Sequence, residues 1–222
     1  MALILCLETA TKNCSVALSK DGAFLAAKEF AGENYSQAEL LHTFIQDVLD
    51  EAGVKFADLA AVAVSAGPGS YTGLRIGVAA AKGLCYALSI PLISVSTLEV
   101  LATAKQLHSG YKVPMLDARR MEVYTAVYDA NNQIIEAVSA KILDEHSFEN
   151  FGESLVMFGD GAAKCKELFA HRTNITIDES LPYPSAKDML ALAHKRFTDG
   201  AFEDVAYFEP FYLKDFIAGG GK

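Results

Sequence analysis

The sequence predicts an α/β protein in which two related lobes each carry a mixed sheet that starts as a β-meander and is covered by helices. Two observations lead to this fold class. Short apolar segments separated by turn residues open each half of the chain, and strand and helix patterns then alternate in both halves. With 222 residues, 51% of them apolar, the chain is long enough to bury a sizeable core. We place the N-terminal lobe at residues 1–104 and the C-terminal lobe at residues 105–222.

The first half is predicted to begin with three strands, at residues 3–7, 14–18 and 23–28, because polar turns separate three short apolar segments. A helix over Gln37–Ala52 follows, since Ser36 and Glu39 have the spacing of a capping box and apolar residues recur at helical intervals. The remaining elements are a buried strand at residues 60–66, an alanine-rich helix at 74–88, a strand at 91–95 and a helix from Ser96 to about Leu107, opened by a second capping box with Glu99.

The second half begins in a similar way. Its predicted elements are strands at residues 113–116, 122–129 and 133–140, a short helix near Phe148, a strand at 155–158, a helix after Gly161 and a final helix from Ser185 to about Gly200. The seam between the halves falls near residues 105–112. The tail after the final helix is unusually aromatic for a terminus, so we expect it to dock, and the helix and tail are candidates to pack back on the first lobe.

The charge balance of the chain is acidic, with 19 basic against 28 acidic side chains and a formal net charge of −9. Because the whole-molecule field repels a polyanion, we expect the chain on its own to bind nucleic acid weakly. No apolar run has the length of a membrane-spanning helix, and the first residues lack a secretion signal, so we expect a cytoplasmic protein without a membrane partner. Four scattered cysteines without a C-x-x-C pair favour reduced thiols.

Residues 67–73 (GPGSYTG) form a glycine-rich loop between the buried strand and the alanine-rich helix. Backbone N–H groups at a helix N-terminus attract anions, so Gly67, Gly69 and Ser70 are candidates for a phosphate or nucleotide loop. The loop has neither the Gly-Lys-Ser/Thr ending of a P-loop nor the G-x-G-x-x-G spacing of a dinucleotide site. A tight turn with close backbone packing is the alternative, and we favour it.

The two long helices of the first half each have more small or apolar residues than packing against the sheet alone requires. Gly73, Gly77 and Ala81 follow the loop at four-residue spacing, which lets another backbone approach closely, from the sheet or from a partner helix. In the helix over Gln37–Ala52, residues such as Leu41 are expected to face the sheet, while Leu40 and Phe44 remain for a partner. Burial of the whole stripe inside the chain is the alternative.

Catalytic and metal sites are not evident in the sequence. The five histidines form no close metal-binding pair, and no serine or cysteine has the context of a nucleophile, so we predict no catalytic residue and no metal site. Arg119 and Arg120 lie beside Asp117 and Glu122 in a turn between two strands. They are candidates for an anion site or for an ion-pair cluster, and we favour the cluster because exposed charge runs are usually solvated.

Five segments together resemble the TsaB (YeaZ) family, and the likeness covers nearly the whole chain. The segments are residues 65–77 (SAGPGSYTGLRIG), 7–10 (LETA), 96–99 (STLE), 117–124 (DARRMEVY) and 210–214 (PFYLK). Two residues depart from the family pattern, because Glu8 stands where Asp is usual and Lys214 where Arg is usual. The resemblance implies an actin-like (ASKHA) fold and adds Glu8, Thr9 and Thr11 to the possible phosphate or nucleotide loop.

The resemblance also implies a pseudo-enzyme. The sister family, TsaD, transfers a threonylcarbamoyl group to the adenosine next to the tRNA anticodon and uses a His-Met-Glu-Gly-His metal motif. This chain has residues 97–101 (TLEVL) there, and Glu99 alone does not make a metal site. We therefore expect no cofactor of its own, with ATP and a metal ion on partner subunits or at the interface of the complex.

These lines together predict a non-catalytic subunit that binds and activates TsaD, with the ATPase TsaE joining in an ATP-dependent ternary complex. A homodimer is possible when the chain is alone, and tRNA is reached only through the complex. The residues expected to contact TsaD lie on the two long helices and are Leu40, Leu41, Phe44, Tyr71, Arg75, Gly77, Val78 and Ala81. The alternatives are an ATP-dependent small-molecule kinase or ATPase, for which residues 159–162 (GDGA) faintly resemble a second phosphate loop, and a metallopeptidase, which the histidine spacing opposes.

Overall fold

The computed structural model describes residues 1–32 and 36–214, and these form two five-stranded sheets with five α-helices. The first sheet has the spatial order β3-β2-β1-β4-β5. Strands β1 to β3 make an antiparallel meander, and β4 and β5 continue the sheet parallel to β1. Its strands are β1 (Leu3–Glu8), β2 (Asn13–Lys20), β3 (Ala23–Ala31), β4 (Ala61–Gly67) and β5 (Leu92–Ser96).

The second sheet has the same arrangement, in the order β8-β7-β6-β9-β10. A meander of β6 to β8 is extended by β9 and β10, both parallel to β6. The strands are β6 (Tyr111–Asp117), β7 (Glu122–Asp129), β8 (Ile134–Ile142), β9 (Leu155–Phe158) and β10 (Ile175–Asp178). The predicted pair of mixed sheets, each starting as a meander, is confirmed. The lobe boundary after residue 104 stays a prediction, and residues 215–222 of the second predicted lobe lie outside the described residues.

Helices α1, α2 and α5 cover the two faces of the first sheet, α3 packs between the two sheets, and the short α4 packs in the core of the second sheet. Helices α1 and α2 cover one face, where their apolar residues join those of β1, β2 and β4 in one core cluster. Helix α5 covers the other face against β1, β2 and β5 through residues such as Met189 and Ala193, although it follows the second sheet in sequence. The bounds are α1 (Gln37–Ala52), α2 (Tyr71–Leu88), α3 (Thr97–Ala104), α4 (Cys165–Leu168) and α5 (Ala186–Thr198).

Buried hydrogen bonds fix the start of α5 on the first sheet. The Asn13 side-chain amide donates to the Pro184 carbonyl oxygen at 2.9 Å, and the Ala186 backbone N–H donates to Ser15 Oγ at 3.0 Å. Ser185 caps the helix by accepting a hydrogen bond from the Lys187 backbone N–H. Buried polar groups that are paired in this way avoid the cost of burial without a partner, so the contact between α5 and the first sheet is specific as well as apolar.

Several predicted elements differ in the structure. The helix predicted near Phe148 is wrong, because residues 145–150 form turns and Phe148 has a left-handed φ of 64°. Strand β10 was not predicted, since its four residues lack a long alternating pattern. The predicted capping boxes are also wrong, because neither Ser36 nor Ser96 makes a side-chain cap, and Glu99 instead pairs with Arg196 of α5 at 2.6 Å.

Two further expectations concern cysteines and membranes. All four cysteines are free and buried, and burial raises the pKa of the Cys14 and Cys85 thiols to about 11. They are therefore packing residues rather than reactive thiolates. Within residues 1–32 and 36–214, no helix combines the length and the apolar composition needed to cross a bilayer.

Candidate functional site

The candidate site lies where β1 and β4 end side by side. The two strands pair in parallel, with Leu7 opposite Val64, so the loop after β1 and the glycine-rich loop after β4 leave the same edge of the sheet. In parallel sheets this edge, at the carboxyl ends of the strands, is the usual place for ligands. The six residues predicted for a nucleotide loop lie at or next to this edge, and they are Glu8, Thr9, Thr11, Gly67, Gly69 and Ser70.

The glycine-rich loop is packed against the loop after β1. A Cβ added at Gly69 would lie 2.5 Å from the Ala10 carbonyl oxygen, and one added at Gly73 would overlap the Thr9 carbonyl oxygen. The Ser70 backbone N–H donates to the Ala10 carbonyl oxygen at 2.7 Å, and Ser70 Oγ caps α2 by accepting from the Gly73 backbone N–H at 3.2 Å. The glycines therefore serve close backbone packing, and two N–H groups that a phosphate would need already have acceptors within the chain.

Gly77 continues this close contact along α2. A Cβ there would overlap Thr9 Oγ1, so Gly77 faces the loop after β1 and not a partner helix. Leu41, Val78 and Ala81 are likewise buried in the core cluster of the first sheet. These four assignments to a partner surface are corrected, because buried residues of a folded chain do not reach another protein. For these four residues the alternative given in the sequence analysis, packing inside the chain, is correct.

Glu8 is a buried carboxyl at the end of β1. Its Oε1 accepts hydrogen bonds from the Ala10 backbone N–H at 2.7 Å and from Ser65 Oγ at 2.9 Å, while Oε2 has no hydrogen-bond partner. Burial raises the pKa of Glu8 to about 7, and the two hydrogen bonds to Oε1 oppose that rise only in part. Near neutral pH this group is therefore often protonated, which makes it a poor ligand for a cation.

The second sheet has an equivalent loop after β9, at residues 159–161. Gly159 has a left-handed φ of 103°, and a Cβ there would overlap the Met115 carbonyl oxygen at the end of β6. Asp160 Oδ1 accepts a hydrogen bond from the Asp117 backbone N–H at 2.9 Å, and burial raises the pKa of Asp160 to about 6. This loop is thus also held by the strand beside it, as the glycine-rich loop is.

Residues 97–101, which the sequence analysis compares with a metal motif of the sister family, are likewise buried or paired within the chain. Thr97, Leu98, Val100 and Leu101 are fully buried, and the carboxylate of Glu99 is engaged by Arg196. In the part of the chain that the structure describes, no group of three His, Cys, Asp or Glu side chains is placed to hold a metal ion.

The C-terminal tail crosses the candidate site. The Phe211 backbone N–H donates to the Ala66 carbonyl oxygen at 2.7 Å, and the Tyr212 ring lies 5.0 Å from the Tyr71 ring at the start of α2. Lys214 then forms an ion pair with Glu122 at the start of β7. The tail residues were not among the predicted site residues, although the aromatic composition of the tail indicated that it docks.

An open apolar groove of about 660 Å³ lies between α1 and α2. Of the predicted partner residues, Leu40 and Phe44 on α1 and Tyr71 on α2 are partly exposed, and Arg75 is exposed. The groove itself adds residues that the sequence analysis did not single out, although those on α2 recur at helical spacing opposite the glycine stripe. Its lining consists of Ala38, His42, Ile45, Phe56, Ile76, Ala79, Ala80, Gly83 and Leu84.

A family model and a known relative each match most of this chain. The family model described as "TsaD: tRNA N6-adenosine threonylcarbamoyltransferase" matches residues 29–220. The "tRNA threonylcarbamoyladenosine biosynthesis protein TsaB" of Escherichia coli (strain K12) is 33% identical over 223 residues, which cover 97% of this chain and 96% of the relative.

Solved structures extend the comparison to the fold. The structure "YeaZ from Pseudomonas aeruginosa" matches with a TM-score of 0.79 at 30% identity, over 96% of this chain and 100% of that chain. Component A of (R)-2-hydroxyglutaryl-CoA dehydratase from Acidaminococcus fermentans has a TM-score of 0.52 at 12% identity, over 90% of this chain and 98% of that chain, and is alike in fold alone. The architecture is the actin-like fold that the sequence resemblance implied.

Proposed function

We propose a function for this chain from one premise: the chain belongs to the TsaB (YeaZ) family of tRNA threonylcarbamoyladenosine biosynthesis proteins. In this proposal it is a non-catalytic subunit of the modification of the adenosine next to the anticodon. It binds TsaD and keeps that subunit in its active conformation, and the ATPase TsaE joins the two. ATP and a metal ion belong to the partner subunits or to their interface.

The apolar groove between α1 and α2 is the observation that carries this proposal. Apart from His42, its lining has no polar side chain, and it is open to solvent along two helices of 16 and 18 residues. An open groove with an apolar lining is a common place for a partner to bind, and a helix of a partner is the element that fits between two helices. The partly exposed Leu40 and Phe44 extend the surface along α1. The same surface is available for a homodimer when TsaD is absent.

The packing of both loops supports a role without catalysis. A kinase or ATPase of this fold needs room for phosphates at both strand ends, and here the chain's own backbone lies against Gly69, Gly73, Gly159 and Gly161. The tail also covers the end of β4 through Phe211. The alternative of an ATP-dependent kinase is therefore less well supported than a partner subunit.

Reconstitution of tRNA modification tests the proposal. Purified chain is expected to transfer no threonylcarbamoyl group to tRNA by itself, while transfer by TsaD with TsaE and ATP is expected to depend on the chain. Transfer by the chain alone, free of TsaD, would contradict the non-catalytic role.

A matched pair of variants tests the interface. Ala79→Arg puts a charged side chain into the groove, whereas Ala170→Arg makes the same change at an exposed alanine near the second sheet. We expect Ala79→Arg to weaken TsaD binding at least about tenfold, or about 1.4 kcal/mol, without lowering the melting temperature. Ala170→Arg should leave binding unchanged. Equal binding by both variants would rule out the groove as the interface.

A further inference from the structure

The turn between β6 and β7 exposes two arginines that the described chain leaves unpaired. Arg119 and Arg120 are both exposed, and neither guanidinium has a hydrogen bond or an ion pair within residues 1–32 and 36–214. Both have left-handed backbone, with φ values of 72° and 49°. Left-handed backbone is uncommon for residues with long side chains, so the fold holds these two arginines in a turn that their own preferences do not favour.

The acidic neighbours of this turn are already neutralised by lysines. Lys164 forms an ion pair with Asp117, and Lys214 forms one with Glu122. The ion-pair cluster favoured from the sequence therefore exists, but its cations are lysines from distant parts of the chain and not the arginines. The arginines remain available to an anion from outside.

The lysines also act on the third acid beside the turn, because Lys164 and Lys12 lie close enough to Asp160 to oppose the rise in its pKa. Arg119 and Arg120 are therefore two exposed positive charges that these ion pairs do not use, on a chain whose net charge is −9. Guanidinium groups suit phosphate oxygens because their planar donors match the anion in pairs.

We propose that Arg119 and Arg120 bind phosphates of the tRNA backbone when the chain is part of the assembly with TsaD. This inference rests on the proposed function, because two arginines on an acidic chain are too few to hold tRNA alone. It assigns this chain a direct RNA contact, at the turn between β6 and β7 and separate from the groove on α1 and α2.

The test compares two double variants in the assembly with TsaD. Arg119→Ala with Arg120→Ala removes the proposed contacts, and Lys20→Ala with Lys55→Ala removes two exposed charges near the opposite ends of β1 and β4. Binding of labelled tRNA is followed by fluorescence anisotropy across a salt series. The arginine variant is expected to raise Kd about tenfold at low salt and to reduce the slope of log Kd against log salt by about 1.5, since each lost phosphate contact removes about 0.7–0.9. The lysine variant is expected to stay within about twofold.

Each outcome of this test decides the inference. An unchanged Kd and salt slope in the arginine variant overturns it. Weaker association of that variant with TsaD or TsaE, measured by gel filtration without tRNA, shows a protein contact instead and also overturns it. In the modification assay, a raised KM for tRNA with an unchanged kcat at saturating tRNA supports it. Failure of the unaltered chain to bind TsaD is a separate result, which removes the proposed function and this inference together.

Discussion

The two sheets have the same strand order but very different helical coverings. In the first sheet, the connection from β3 to β4 contains the 16-residue α1, and the connection from β4 to β5 is the 18-residue α2. In the second sheet, the equivalent connections contain only turns in one case and a 3-10 turn with the four-residue α4 in the other. The duplication thus extends to the strands and stops at the helices.

This difference separates the parts that both sheets share from the helices that only the first sheet has. Strand order and the packed loops at the strand ends recur in both sheets, because a parallel extension of a meander brings the same edges together. Long helices remain only on the first sheet, and these line the apolar groove. The proposed interface with TsaD therefore belongs to the half of the molecule that keeps its crossover helices.

The Gly73→Ala variant is expected to have the largest effect. It tests whether backbone packing closes the glycine-rich loop of the first sheet. In Gly73→Ala the new Cβ overlaps the Thr9 carbonyl oxygen, so α2 or the loop after β1 has to move. We expect the free energy of unfolding to fall by about 3 kcal/mol, at the upper end of overpacking effects in well-packed cores. Urea unfolding followed by circular dichroism measures the change. An unaltered midpoint would mean that the loop has room to spare, and the phosphate-loop interpretation would regain support.

The next prediction compares two carboxyls whose pKa is raised by burial, Glu8 at the end of β1 in the first sheet and Asp160 after β9 in the second sheet. The pKa of Glu8 is raised from 4.5 to about 7, so the folded chain binds a proton that the unfolded chain has released, and stability falls as pH rises through that range. Glu8→Gln removes this dependence, and its stability relative to the unaltered chain is expected to improve by about 2–3 kcal/mol between pH 4.5 and pH 8. For Asp160→Asn the corresponding improvement should be complete by about pH 7, one unit lower than for Glu8→Gln, because the pKa of Asp160 is raised only to about 6. Urea unfolding at a series of pH values measures both, and parallel curves for Glu8→Gln and the unaltered chain would contradict the buried-carboxyl account.

Local patterns in the sequence were sufficient to predict the long helices and every strand except β10. The bounds of α1 agree with the prediction, because its apolar spacing and the glycine after it are local signals. One of the failed predictions involves a distant residue. Glu99 does not complete a capping box because Arg196, 97 residues away, binds its carboxylate.

The glycine stripe shows the same limit at the site. Spacing showed that Gly73, Gly77 and Ala81 allow a close approach, but the identity of the approaching group is a tertiary fact. The structure gives that group as the loop after β1, through Thr9. Likewise, the sequence could not show that Arg119 has no partner within the described residues, because the lysine that pairs with Asp117, Lys164, lies 47 residues away along the chain.

The Gly83→Ala variant is expected to have the smallest effect. Comparing it with Gly73→Ala distinguishes a glycine that the fold requires from one that a partner contacts. Gly83 lies within α2 and lines the groove, and a Cβ there would meet nothing within 4 Å. Glycine inside a helix costs about 0.5–1 kcal/mol relative to alanine, so Gly83→Ala is expected to stabilise the isolated chain by about that amount. Gly73→Ala on the same helix has the opposite sign.

TsaD binding is then measured for Gly83→Ala. If a partner helix approaches the groove closely at Gly83, the added methyl group separates the two backbones, and binding weakens although the chain itself becomes more stable. Gly152→Ala is the matched control, because Gly152 is also open to solvent but lies near the second sheet, away from the groove. It should leave binding unchanged. A gain in stability with unchanged TsaD binding for Gly83→Ala would show that the partner does not pack closely at this point of α2. A loss of binding together with a gain in stability has no explanation inside the chain, so it would assign the open glycine of the first sheet's helix to the interface.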